Sequence, residues 1–116
     1  MTRYARARSG QLSPMTRDLV MLRDRYQCAM CGGRRGLATW IRAVGVDSPA
    51  AAITLCKGIG TRACFDWAID NRNTARETGW LITDGTDPTT VALVHQLYGL
   101  VTLTNRGTAI RHKEGG

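Results

Sequence analysis

Four cysteines constrain this chain more than any other feature. Cys28 and Cys31 are separated by two residues, Cys56 and Cys64 by seven, and there is no other cysteine. A short CxxC loop presents two sulfurs to one side of a tetrahedral ion at about 2.3 Å, and a second pair from elsewhere in the chain completes the shell. If one ion takes all four, residues 32–55 must leave the first pair and return to it. Gly32 and Gly33 allow a tight turn after the first pair, and Gly58 and Gly60 let the wider second loop close. Four protein thiolates leave no open position for water, so the expected ion is a structural zinc. The plain alternative is four free thiols in the core. In a reducing compartment, metal ligation is the expected use of four cysteines rather than two disulfides.

A chain of 116 residues fits one domain, and its modest core gains from a metal staple. No apolar run follows the basic N-terminal residues, and no stretch approaches the ~20 apolar residues of a membrane span. The expectation is a soluble, cytoplasmic protein. Charge is distributed unevenly. Residues 1–42 hold nine Arg against Asp18 and Asp24, whereas residues 43–116 balance seven basic against seven acidic residues. The whole net charge of +7 therefore lies in the first third. Such a cluster favours a polyanionic partner, nucleic acid first, with a solvated Arg-rich face as the alternative.

Residues 1–12, with Arg3, Arg6 and Arg8, are expected to form a mobile basic arm, residues 13–110 one zinc-binding domain, and residues 111–116 a frayed tail. Ser13-Pro14 marks a helix start. Met15, Leu19, Leu22 and Tyr26 then make an apolar helical stripe expected to pack into the core, with Arg17, Arg23 and Arg25 beside it. A strand is predicted over Leu37–Val46, a turn at Asp47-Ser48-Pro49, and a second strand from Ala51 to Leu55 entering Cys56. A helix is predicted from Cys64 to about Arg76, with Phe65, Ala68, Ile69 and Ala75 inward and Gly79 just beyond. Strand-like patches follow at Trp80–Thr83, Val91–Val94 and Tyr98–Thr104, with a turn at Asn105-Arg106-Gly107. The class is α+β.

This order of motifs resembles the zinc-containing HNH endonucleases. The likeness rests on Arg23-Asp24-Arg25-Tyr26-Gln27-Cys28-x2-Cys31-Gly32, on Ile53-Thr54-Leu55-Cys56, and on Gly60-Thr61-Arg62-Ala63-Cys64-Phe65-Asp66-Trp67. It continues through Ala75-x3-Gly79-Trp80-Leu81 and Asp87-Pro88, covering roughly residues 17–105. It is greatest to the small bacteriophage proteins of the family, especially those of actinobacterial hosts, which would place this chain in a host cytoplasm. The resemblance implies a treble-clef-like ββα-metal hairpin and helix, an N-terminal helix before it, a small C-terminal β segment after it, and DNA as partner. In that family the first strand carries a metal ligand and a His base, a central Asn orients the base, and a His after the last cysteine holds a divalent ion. The base activates water and the ion stabilises charge on the phosphate. This chain has Trp40-Ile41, Ala51 and Phe65 at those places, and none of these can ligate a hard cation or act as a base. Residues 32–64 contain neither His nor Asn, and His95 and His112 are expected to be surface or structural residues.

The resemblance and its losses imply a catalytically degenerate protein that binds nucleic acid. Arg34, Arg35, Arg42 and Arg62 would surround the hairpin, and Arg3, Arg6 and Arg8 would add phosphate contacts. A second reading is a protein-interaction module acting on a host or defence protein through an exposed patch of Trp40, Ile41, Phe65 and Trp67, against which stands the favoured expectation that these residues fill the domain's own core. A third is a divergent active endonuclease using Asp66, beside the lost His position, with Asp47 and Asp70 as weaker candidates.

Overall fold

Ser13 and Pro14 start the first helix, α1 (Pro14–Arg23): the Ser13 hydroxyl accepts the Thr16 N–H at 3.2 Å, and Pro14 sits where no intrahelical donor is needed. The computed structural model describes residues 12–57, 63–83 and 85–112. The expected arm (apart from Leu12), the glycine-containing loop 58–62 and residues 113–116 therefore lie outside the described residues.

The inward face of α1 is not the apolar stripe. Thr16, Val20 and Arg23 are buried, while Met15, Leu22 and Tyr26 are 71%, 59% and 51% exposed. The reason is polar. The Arg23 guanidinium donates to the carbonyls of Pro49 and Ala52, both at 2.7 Å, and so turns its own side of the helix toward the hairpin.

The hairpin pairs β1 (Leu37–Ile41) with β2 (Ala52–Cys56) in antiparallel register, Leu37 opposite Cys56 and Ile41 opposite Ala52. The predicted first strand is cut short at Arg42, because the N–H groups of Arg42 and Ala43 both reach the Ala51 carbonyl. A 3-10 turn over Pro49–Ala51 leads into β2. The predicted helix after Cys64 is two helices, α2 (Cys64–Asp70) and α3 (Arg72–Glu77), broken at Asn71, whose φ is −125° and whose side chain caps the Trp67 carbonyl at 2.9 Å. Ala68 and Ala75 are buried and Phe65 is half-buried, but Ile69 points to solvent.

Gly79 follows with φ +84°, and a β-carbon there would run into the Ala92 carbonyl. Trp80–Thr83 is not a strand, since the N–H groups of Trp80 and Leu81 both close on the Ala75 carbonyl. The chain ends in an antiparallel sheet of β3 (Leu93–His95), β4 (Gly99–Leu103) and β5 (Ala109–Arg111), turning at residues 105–107 as expected. The result is a mixed α+β fold with two small sheets and three helices among the described residues. Its core joins Cys28 and Ala29, Trp40, Ile53 and Leu55 of the hairpin, Ala68 of α2, and Leu93, Val101 and Leu103 of the C-terminal sheet.

A buried polar knot ties α1 to both sheets. Asp24 is fully buried; its carboxylate accepts the Arg23 Nε–H at 2.9 Å, the Thr54 N–H of β2 at 2.8 Å and the His95 ring of β3 at 2.8 Å. His95 Nδ1 accepts the Leu97 N–H at 3.1 Å, which puts the ring proton on Nε2, donating to Asp24. The Tyr98 hydroxyl closes the knot on the Arg23 carbonyl at 2.6 Å. Burial alone would raise the Asp24 pKa, but the His95 hydrogen bond and the Arg23 charge outweigh it and hold the carboxyl below its ordinary value. The stability it contributes is thus present above the ordinary carboxylate pKa, about 4, and is lost as pH falls through the lower folded value. Asp24→Asn is expected to cost about 3–5 kcal/mol in urea unfolding at neutral pH, because it strands a buried Arg. A loss below about 1 kcal/mol would mean the knot is incidental.

Candidate metal centre and basic face

The first cysteine pair is held by its own backbone. The Cys28 N–H donates to the Gly33 carbonyl at 2.7 Å, Gly32 N–H returns to the Cys28 carbonyl at 2.8 Å with φ +81°, and Ala29 N–H ties the loop to Thr54 of β2 at 2.7 Å. Cys56 ends β2 and Cys64 opens α2, so hairpin and helix each bring one of the remaining sulfurs to the same point. All four Sγ atoms lie within 4.8 Å of one another, and Cys31 and Cys56 are 3.8 Å apart. That spacing matches the edge of about 3.8 Å expected for a sulfur tetrahedron with 2.3 Å metal bonds.

The surroundings suit negative sulfur. The N–H groups of Met30 and Cys31 point at Cys28 Sγ, and that of Gly33 at Cys31 Sγ, each at 3.4 Å. Burial would raise the Cys28 thiol, yet these donors bring it below its ordinary value. Burial, and then the Cys28 charge, push Cys64 up, while burial raises Cys31. The Cys28 charge thus opposes ionisation of Cys31 and Cys64; a dication at the centre would remove that conflict. Cys28, Cys31, Cys56 and Cys64 thus form a metal-binding arrangement of soft donors, and no other group of three or more Cys, His, Asp or Glu side chains converges among the described residues. A strong chelator is expected to unfold the domain, since binding energies of about 10–16 kcal/mol for such sites rival whole-domain stabilities. A far-UV circular dichroism melt unmoved by chelator would count against the site.

The positions matched to a nuclease centre are inside the protein. Trp40 is buried, its indole N–H donating to the Trp80 carbonyl and its ring meeting Phe65 edge-on at 5.1 Å. Trp67 and Trp80 meet edge-on at 5.8 Å, Ile41 packs beside Leu12, Val20 and Ala52, and Ala51 is fully buried. The exposed patch of the protein-interaction reading is therefore corrected in favour of the core placement: Trp40, Phe65 and Trp67 are buried or half-buried between hairpin, α2 and the segment after Gly79, and Ile41 is half-buried against α1. Asp66 and Asp70 are exposed on α2, and Asp47 accepts the Ser13 N–H at 3.0 Å, away from both.

The basic residues divide in three. Arg34 and Arg35 are exposed between Cys31 and β1. Lys57 joins them at the same end of the hairpin, bonding the Gly36 carbonyl through its N–H at 2.6 Å and setting its ammonium 5.1 Å from the Phe65 ring centre. Its place directly after Cys56 is the sequence signal that puts Lys57 beside the sulfur cluster. Arg42, expected to touch phosphate, is fully buried. It donates to the carbonyls of Gly79, Ala50 and Val91 at 2.7–2.8 Å, and burial followed by the Arg23 charge lowers its pKa. Arg3, Arg6, Arg8 and Arg62 lie outside the described residues.

No protein-family model, curated protein or solved structure matches this chain. No helix among the described residues is long and apolar enough to cross a membrane.

Proposed function

We propose that this protein is a zinc-stapled, treble-clef-like nucleic-acid-binding domain on the plan of an HNH endonuclease, with the catalytic positions given over to packing. The carrying observation is the pairing of a converged four-sulfur cluster with apolar residues, Trp40, Ala51 and Phe65, at all three positions where that plan needs His or Asn. Zinc is the ion that four tetrahedral thiolates suit best in a closed structural site, and Cys28, Cys31, Cys56 and Cys64 would hold it. Bound there, it supplies cross-linking and no open coordination position.

A zinc–tetrathiolate unit carries about −2 charge. The exposed Arg34, Arg35 and Lys57 stand beside it, offset that charge and leave cationic surface at the end of the hairpin. Contacts from these side chains would go to phosphates, which position a partner without reading its sequence. Binding to DNA is expected to weaken steeply with salt, with a log–log slope near −5 for about six phosphate contacts. Arg34→Ala with Arg35→Ala should reduce the slope by about 2. Salt-insensitive binding in fluorescence anisotropy, or none at low salt, contradicts the reading. Plasmid DNA should stay intact with Mg²⁺ or Mn²⁺; nicking abolished by Asp66→Ala would replace this proposal with a divergent nuclease.

A further inference from the structure

The helix α1 ends in a strained turn. The Arg25 N–H bonds the Leu22 carbonyl at 3.1 Å and the Tyr26 N–H bonds the Met21 carbonyl at 2.9 Å, the paired bonds of a Schellman motif. The residue after the cap must then be left-handed, which is why glycine usually occupies it. Here Arg25 has φ 58° and Tyr26 φ 53°, and they are the only non-glycine residues with positive φ among the described residues. Two successive L-residues in this conformation carry steric strain that glycine would avoid.

Neither side chain accounts for that strain by packing. Arg25 is exposed, and Tyr26 is half-exposed and belongs to none of the core clusters. The turn is held from below by buried Arg23 and Asp24, so the strained pair stands on a fixed base. Beside it lies a groove of about 310 Å³, lined by Leu22, Arg25, Tyr98 and Thr108 among others and by no carboxylate. Arg106, exposed, sits in the β4–β5 turn next to the groove's Gly107.

We propose that Arg25 and Tyr26 form a contact point for single-stranded nucleic acid: a base stacks on the Tyr26 ring while Arg25, with Arg106 of the β4–β5 turn, takes the adjoining phosphates. The inference rests on the nucleic-acid reading above and adds a second, aromatic element to it. An exposed aromatic ring beside arginines is the combination that binds unpaired bases, whereas bases within a duplex are already stacked and offer the ring no face. DNA and RNA strands share this chemistry.

The test uses the full zinc-loaded chain in fluorescence anisotropy with oligothymidylate and oligouridylate of about 15 nucleotides and with a duplex of matched length. Tyr26→Gly should weaken single-strand binding about tenfold and leave the melting temperature equal or higher, since it relieves strain while removing the ring. Tyr26→Leu keeps the strain and removes the ring, and should show the same loss; Tyr26→Phe should bind like the natural protein. The relative response to the two oligonucleotides identifies the preferred sugar. Unchanged single-strand affinity in Tyr26→Gly and Tyr26→Leu overturns this inference alone, and leaves the Met15–Leu22–Tyr26 ridge to a protein partner. A natural protein that binds neither strand nor duplex overturns the nucleic-acid reading itself.

Discussion

Mutual repulsion among four converging sulfurs is the constraint on which the rest of this protein rests. Side chains from a turn, a strand end and a helix start meet within 4.8 Å, where burial and then the charge of Cys28 push the Cys64 thiol up. A metal ion there would convert that conflict into a tie between the first knuckle, the β1–β2 hairpin and α2. Register accords with it: Cys56 ends β2, Leu37 opposite it begins β1, and the exposed Arg34 and Arg35 lie on the flank of the sulfur cluster.

A second fastening works through buried charge. Asp24 gathers Arg23, Thr54 and His95, and Arg42 binds three carbonyls from segments far apart in the sequence. The two arginines act as cross-braces, their long stems filling space while their donors satisfy backbone groups that strands and helices leave open. Arg23 and Arg42 are thus lost to any surface role, although they lie in the basic third of the sequence.

Local chemistry was legible in the sequence where a residue acts on its immediate neighbours. Ser13-Pro14 fixed the start of α1, the paired cysteines fixed the cluster, and the turn at residues 105–107 fixed the β4–β5 hairpin. What sequence periodicity missed was decided at a distance. The Met15–Leu22–Tyr26 stripe looked like a core face, but the Arg23 bonds to Pro49 and Ala52 rotate α1 so that it faces solvent. The break at Asn71 has a local cause, a side-chain cap, that periodicity does not register. His95 was placed only as a surface or structural residue; its partner Asp24 is seventy-one positions away, beyond any local pattern.

The functional account joins these points: a metal holds the frame, apolar residues occupy what the HNH plan would use for chemistry, and cationic surface remains at the hairpin end and beyond α1. Its central claim is one zinc on four thiolates. Native mass spectrometry of protein purified under reducing conditions, combined with thiol alkylation, tests it most directly. The account requires a mass increment of one zinc per chain, with all four cysteines protected until a chelator is added. A metal-free chain whose cysteines alkylate freely while it remains folded would contradict it.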